Sequence, residues 1–176
     1  MTQEDTGQIR DIYLKLKGGV FNFKGSSMEP VLKEGDVLRV IPADKTDIRA
    51  GDIVIFNANV LGCHRILGRF RRDNRLCFLE KGDNANKIGR IFYEDIIGKV
   101  KYIVTENGLK KPDFPMNWKN VMFFILDFFI AAYMVLADLL KNRLFLKGDN
   151  KFLKTFGIVI WRVHGFYFNA LFKNIT

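Results

Sequence analysis

Short apolar runs separated by glycine, aspartate and asparagine dominate residues 19–104 of the chain. Runs of this length, bounded by turn-forming residues, are typical of β-strands. The clearest strands are Val37–Ile41 and residues 53–56, and residues 96–104 are expected to close the sheet. The polar stretch 110–115, which contains two prolines, then breaks the pattern. The pattern therefore predicts a mainly β protein with a compact β body.

A β-hairpin is predicted between residues 61 and 80, because two strand-like runs flank a polar segment that contains Asp73 and Asn74. Asp and Asn tolerate the positive φ angles of a two-residue hairpin turn. With these two residues at the turn, continuing the register sets His64 directly opposite Asp83. Directly opposed side chains share one face of a sheet, so a carboxylate could orient the imidazole. A slip of one residue would put the two on opposite faces, and a surface hairpin with an unrelated His and Asp remains the alternative.

The apolar stretch 121–137 contains one charged residue, Asp127. Three interpretations stay open for it: a membrane-spanning helix, a helix that lies in the membrane interface, and a buried helix that covers the β body. On a helix, Asp127, Ala131, Met134 and Asp138 share one face, which predicts a narrow polar stripe. A second apolar stretch follows at residues 156–172.

Three parts are therefore predicted along the chain: a short N-terminal helix within 1–18, a β domain at 19–111, and a hydrophobic and basic helical tail at 112–176. Between the two apolar stretches of the tail, residues 141–154 carry five cations against one acidic side chain. Such clusters suit anionic lipid headgroups. We therefore expect the chain to be associated with the cytoplasmic membrane, on a face that the sequence does not determine.

The net charge of +9 is compatible with nucleic acid, an anionic membrane surface or acidic peptides. The sequence shows no helix-turn-helix pattern, zinc-finger spacing or glycine-rich phosphate loop. Membrane lipid is therefore the expected partner for this charge, and nucleic acid is not expected.

Two cysteines, Cys63 and Cys77, lie on the two arms of the predicted hairpin. The predicted register does not make them neighbours, so free thiols are expected. Cys63 and His64 are adjacent strand residues that point to opposite faces, which disfavours a shared metal site. No metal and no organic cofactor is expected.

A sharply bent loop is predicted around Ser27. Gly25 permits a tight turn, and Pro30 fixes the direction in which the chain leaves it. Serine beside glycine and proline is also ordinary turn chemistry, so the loop alone does not define a catalytic site. Together with His64 and Asp83, however, the Ser27 hydroxyl completes the nucleophile, base and orienting carboxylate of a serine hydrolase.

Four segments of the chain resemble the sequence boxes of type I signal peptidases, the membrane serine endopeptidases that remove leader peptides. Residues 25–32 match Gly-x-Ser-Met-x-Pro-x-Leu and are followed by Gly-Asp, and residues 51–56 match Gly-Asp-[Ile/Val]-Val-x-Phe. Residues 64–68 and 81–84 resemble the third and fourth boxes, in the family's order. The resemblance covers about residues 19–104, and it depends on the four segments together.

Histidine in the third box resembles the archaeal and endoplasmic-reticulum branch of the family, in which Ser, His and Asp act together. The resemblance implies Ser27 as nucleophile, His64 as general base and Asp83 as the partner of His64. It also implies oxyanion and substrate-binding roles in the turn, for the residues Gly25, Ser26, Met28 and Pro30. Gly25 has no hydroxyl, so the oxyanion donors would be backbone amides, chiefly that of Ser27, with Ser26 as the fallback.

The resemblance implies a serine endopeptidase that cleaves leader or signal peptides from precursor proteins or small peptides, through an acyl-enzyme on Ser27. Its substrate would be an extended peptide with small residues just before the cut. The alternative is a catalytically inactive signal-peptidase-like module that binds peptides or partners at a membrane. That alternative stays open because no spanning helix is evident before the serine and because Gly25 supplies no side-chain donor.

Overall fold

A computed structural model of the chain describes residues 14, 18–58, 60–113, 125–136, 155, 158–160 and 162–163. The predicted N-terminal helix lies almost entirely outside the described residues. The chain divides into two compact units, Met1–Phe114 and Pro115–Thr176. This division falls a few residues after the predicted end of the β domain at residue 111.

The first unit is mainly β, as the apolar pattern predicts, and its described strands form one curled antiparallel half-barrel sheet. The strands are β1 (Val20–Asn22), β2 (Val37–Ile41), β3 (Ile53–Asn57), β4 (Leu61–Arg72), β5 (Arg75–Lys81), β6 (Gly89–Phe92), β7 (Ile96–Thr105) and β8 (Gly108–Lys110). A 3₁₀ turn, Tyr93–Asp95, connects β6 to β7. The strand order is β1-β2-β7-β3-β4-β5-β6, with β8 beside β7.

Apolar side chains are buried on both faces of the sheet, and β3 shows this most clearly. Ile53 and Ile55 belong to one buried cluster, while Val54 and Phe56 belong to a second one. Because alternate residues of a strand point to opposite faces, the two clusters lie on opposite sides of β3. Burial on both sides explains why the sequence of β3 is an almost continuous run of apolar residues.

The predicted β4–β5 hairpin is present, but its register changes part of the way along. Asp73 and Asn74 form the turn with φ angles of +50° and +60°, and Arg72 pairs with Arg75 as predicted. The predicted register holds as far as Gly68, which pairs with Leu79, and it then shifts.

Leu67 is the extra residue at this shift, a β-bulge, so that Ile66 pairs with Glu80 and Arg65 with Lys81. Both backbone groups of Ile66 also bond to the loop before β3: its N–H donates to the Asp52 carbonyl at 2.8 Å, and its carbonyl accepts from the Gly51 N–H at 2.7 Å. One inserted residue exchanges the two faces of a strand. The prediction that His64 lies opposite Asp83 is therefore wrong.

The described part of the second unit includes helical residues 125–136. Asp127 and Ala131 are buried and Met134 is half-buried, so the predicted stripe is the inward face of this helix. Within the described residues, no helix has both the length and the apolar character needed to cross a membrane.

Candidate active site

The Ser27 turn is anchored by the apolar side chains that follow it. Met28 and Leu32 have no exposed surface and belong to the core cluster that contains Ile53. The amides of Val31 and Leu32 donate to the Met28 carbonyl at 3.0 and 2.9 Å, which closes a tight turn. Ser27 itself is half-buried. The core therefore fixes the position of the backbone that carries the Ser27 hydroxyl.

The Gly82-Asp83-Asn84 loop holds the other side of this turn. The Asn84 backbone N–H donates to the Ser27 carbonyl at 2.8 Å, and the Asn84 side-chain amide donates to the Ser26 carbonyl at 3.3 Å. A Cβ atom added at Gly82 would lie 2.5 Å from the Ser27 carbonyl oxygen and 3.1 Å from its Cβ. Only glycine permits this approach, so position 82 lets Ser27 lie directly against the end of β5.

His64 lies on β4, where it pairs with Val54 of the neighbouring strand β3. After the bulge, Arg65 pairs with Lys81, so one further step of the register brings His64 across from Gly82. Gly82 is the residue on which Ser27 packs. The bulge and the glycine together therefore bring the serine turn and the imidazole to the same end of the β4–β5 pair.

Glu80 is the acidic partner of His64. His64 Nδ1 and Glu80 Oε2 are 2.5 Å apart, and the two side chains are 25% and 11% exposed. Glu80 lies two residues before Gly82 on β5, so after the bulge it shares the face of His64 and is its diagonal neighbour. Gly89 of β6 pairs with Glu80 of β5, and a Cβ atom at position 89 would overlap the Glu80 carboxylate. The Phe56 ring packs beside His64 with the ring centroids 5.7 Å apart.

Asp83 has a different partner from the predicted one. Its two carboxylate oxygens accept hydrogen bonds from Arg65 Nε and Nη2, both at 2.8 Å. Arg65 also donates to the Gly51 carbonyl at 2.7 Å. The Arg65 and Asp83 side chains are 9% and 4% exposed. The expected Asp83–His64 pair is therefore corrected to a buried Arg65–Asp83 pair, because the bulge places Asp83 on the face opposite His64, where Arg65 also lies.

A cleft of about 540 Å³ contains Ser27, His64 and Glu80 in its wall. The rest of the wall is largely apolar and includes Phe21, Phe23, Leu38, Ile55, Phe56 and Leu61. Three groups that can act as nucleophile, base and orienting acid therefore meet at one water-accessible, mostly apolar surface. In the described part of the chain, no hydrogen bond joins the Ser27 hydroxyl to His64.

The other predicted turn residues lie away from the wall of this cleft. Gly25, Ser26 and Pro30 are exposed, and the wall does not include them. Met28 is fully buried in the core, where it anchors the turn. The assignment of these four residues to substrate or oxyanion binding stays a prediction.

The Ser27 backbone amide is the strongest candidate for an oxyanion donor. Within the described residues, this N–H donates to no protein acceptor, whereas the Ser27 carbonyl is held by Asn84. A backbone amide without a protein acceptor can donate a hydrogen bond to a negative oxygen that forms beside it. The oxyanion role of this amide stays a prediction.

Neither thiol offers a competing nucleophile. Burial raises the pKa of the Cys63 thiol to about 12, and the Asp83 carboxylate acts in the same direction. Cys63 therefore stays protonated near neutral pH although it lies in the wall of the cleft. Cys77 is buried inside β5 and forms no disulfide with Cys63. Among the described residues, no group of three or more His, Cys, Asp or Glu side chains is arranged to hold a metal ion.

Sequence reasoning missed Glu80 because it relied on an unbroken hairpin register. One signal was present: Glu80 is an acidic residue at the end of the apolar run Leu76–Leu79. An acid within a strand that is otherwise buried needs a partner, and His64 is a suitable one on the neighbouring strand.

No protein-family model matches the chain, and no solved structure gives a significant match to it.

Proposed function

We propose that the chain is a serine endopeptidase that resembles type I signal peptidases, with Ser27 as nucleophile, His64 as general base and Glu80 as the group that orients His64. One observation carries the proposal: Ser27, His64 and Glu80 line the same cleft, and Glu80 contacts Nδ1 of His64 at 2.5 Å. Asp83, which the resemblance implies as the third member, pairs with Arg65, and this supports Glu80 in its place.

The contact between Glu80 and Nδ1 determines which ring nitrogen can act as the base. A carboxylate at Nδ1 accepts a hydrogen bond from the N–H there, and the neutral imidazole then carries its free lone pair on Nε2. Nε2 takes the proton from the Ser27 hydroxyl as Oγ bonds to the carbonyl carbon of a peptide. Glu80 stabilises the imidazolium that results, without taking up the proton itself.

The later steps return every group to its starting state. The tetrahedral oxyanion receives a hydrogen bond from the Ser27 amide. His64 then gives its proton to the leaving amine, the C–N bond breaks, and an acyl ester remains on Ser27. A water molecule attacks this ester while His64 accepts the water proton, and the carboxylic acid product leaves as Ser27 Oγ is protonated again.

The surroundings of the cleft support an extended peptide as substrate. β1 is a terminal strand of the described sheet, and its residues Phe21 and Asn22 line the cleft. A peptide can add to such an edge through main-chain hydrogen bonds, and the apolar wall suits apolar side chains. A leader segment of a precursor protein or small peptide is therefore the proposed substrate, and the preference for small residues before the cut is implied by the resemblance alone.

A peptide-binding module without catalysis is the second candidate. One observation favours it: within the described residues, the Ser27 hydroxyl forms no hydrogen bond with His64. Contacts of this kind often tighten only when substrate binds. A chemical test of Ser27 reactivity therefore distinguishes the two candidates.

Reaction with a serine-directed acylating probe is the test of the proposed function. We expect one probe molecule on Ser27 of the wild-type chain, located by peptide mass spectrometry, and no adduct on Ser27→Ala or His64→Ala. Thr46→Ala is the matched control, because Thr46 carries an exposed hydroxyl outside the wall of the cleft, and this variant should label at the wild-type rate. An unlabelled wild-type chain that still binds peptides would favour the non-catalytic module.

A methyl group at position 82 should displace the nucleophile without disturbing the strands. We expect Gly82→Ala to lower the labelling rate about 10²-fold, because a shift of about 1 Å in a reacting group has effects of this size. Gly68→Ala is the control, since a Cβ at this β4 position meets no atom within 4 Å. A Gly82→Ala variant that labels as fast as Gly68→Ala would show that the close approach does not position Ser27.

A further inference from the structure

Helical residues 125–136 expose an apolar face. Phe128 and Phe129 are 58% and 64% exposed, and Ile125 and Leu136 are 46% and 54% exposed. Together with exposed Ala132, these residues follow the spacing i, i+3, i+4, i+7 and i+11, which forms one continuous stripe along a helix. We call these five residues the outer stripe.

The opposite face of the same helix is buried and contains its charged residue. Asp127, Ile130 and Ala131 are 5%, 3% and 4% exposed. A helix on the surface of a water-soluble domain shows the reverse arrangement, with apolar residues inside and charged residues outside. The outer stripe is therefore suited to contact with an apolar medium and not to contact with water.

A second described segment of this unit also exposes branched apolar side chains. Ile158, Val159 and Val163 are 49%, 50% and 45% exposed, and the cation Arg162 is exposed beside them. Arginine next to apolar side chains is typical of positions where the stem is buried in an apolar layer and the head group reaches water or phosphate.

The charge of the surrounding sequence identifies the partner. Residues 141–154, between the two described helical segments, contain five cations and one acidic residue. A second copy of this chain would bring the same positive charge to the contact, and like charges repel. An anionic lipid bilayer offers apolar chains for the outer stripe and phosphate groups for the cations.

We propose that the outer stripe is a membrane-docking surface that lies in the interface of an anionic bilayer, whose negative charge attracts the positively charged chain. This proposal does not rest on the peptidase proposal, because it uses none of the residues that line the cleft. The second unit would then attach the chain to the surface of a bilayer.

Vesicle co-sedimentation of the full chain tests this surface. We expect binding to phosphatidylcholine vesicles that contain roughly one quarter phosphatidylglycerol, and much weaker binding to phosphatidylcholine alone. Raising NaCl from about 0.1 M to about 0.5 M should also weaken binding, since salt screens the headgroup attraction. The variant Phe128→Ser/Phe129→Ser should reduce the bound fraction at limiting lipid about tenfold or more, because two exposed aromatic groups no longer enter the interface.

The control variant is Val104→Ser/Leu109→Ser, which removes two exposed apolar side chains from the β7–β8 pair. It should bind vesicles like the wild-type chain. Circular dichroism should show both variants folded, as all four side chains are exposed. Equal binding of both variants to anionic vesicles would overturn the proposal. Failure of the wild-type chain to bind anionic vesicles would also overturn it. A dimer in sedimentation velocity that Phe128→Ser/Phe129→Ser dissociates would instead assign the stripe to a second copy.

Discussion

Glu80→Gln is expected to lower kcat/KM for peptide cleavage about 10³- to 10⁴-fold while the chain stays folded. The glutamine side chain has nearly the size of glutamate, so it fits the space beside Gly89. Its amide carries no charge to stabilise the imidazolium, and it can present an N–H to Nδ1, which favours the wrong tautomer of His64. The measurement is steady-state cleavage of a leader-like peptide, with a thermal melt to confirm folding.

Glu106→Gln is the matched control for this change, because Glu106 is an exposed acid in the turn between β7 and β8. It should leave kcat/KM unchanged. Asp83→Asn separates the two candidate acids further. If folded Asp83→Asn lost activity by several orders of magnitude while Glu80→Gln kept it, Asp83 and not Glu80 would be the acid that serves His64.

Asp83→Ala is expected to cost about 3–5 kcal/mol of unfolding free energy, because it leaves the buried Arg65 guanidinium without its carboxylate. Arg65 is 7% exposed and donates two hydrogen bonds to Asp83 at 2.8 Å. A loss of this size is a large part of the stability of an ordinary domain, so part of the Asp83→Ala protein should be unfolded near body temperature. The measurement is urea unfolding followed by circular dichroism.

Glu106→Ala is the control for this second prediction. Glu106 is an exposed acid in the turn between β7 and β8, so its removal should change stability by no more than about 0.5 kcal/mol. Replacing both buried partners with apolar residues, as in Arg65→Met/Asp83→Leu, should recover much of the loss. An Asp83→Ala chain as stable as Glu106→Ala would contradict the structural role that we assign to Asp83.

The strands and the hairpin turn could be predicted from the sequence because they depend on local signals. A short run rich in β-branched apolar residues identifies Val37–Ile41, and the Asp73-Asn74 turn requires residues that tolerate positive φ. The polar stripe of helical residues 125–136 follows from their spacing in the same way. The sequence did not indicate that Asp127 would be buried and Phe128 exposed, because that depends on what packs against the helix.

The identity of the acid beside His64 could not be predicted, because it depends on contacts between segments distant in sequence. The bulge at Leu67 coincides with hydrogen bonds from Ile66 to the Gly51-Asp52 loop. No local rule places a bulge at this position, and one extra residue is enough to exchange Asp83 for Glu80 as the neighbour of His64.

Residues 81–84, which resemble the fourth sequence box, hold the Ser27 turn in the structure. The expected role of this box was to supply the acid beside His64. Gly82 makes room for Ser27, Asn84 holds the Ser27 carbonyl, and Asp83 neutralises Arg65. Each of these residues has a structural role beside Ser27 or Arg65. The box therefore supports the Ser27 turn, and Glu80, which contacts His64, lies one residue before it.

Cleavage of a library of leader-like peptides, read by mass spectrometry, tests whether the Ser27, His64 and Glu80 cleft is a peptidase site. We expect the wild-type chain to hydrolyse a subset of the library at one peptide bond, and Ser27→Ala and His64→Ala to hydrolyse none. Glu80→Gln should retain only a small residual rate. Hydrolysis by Ser27→Ala at the wild-type rate would show that the active group lies outside this cleft.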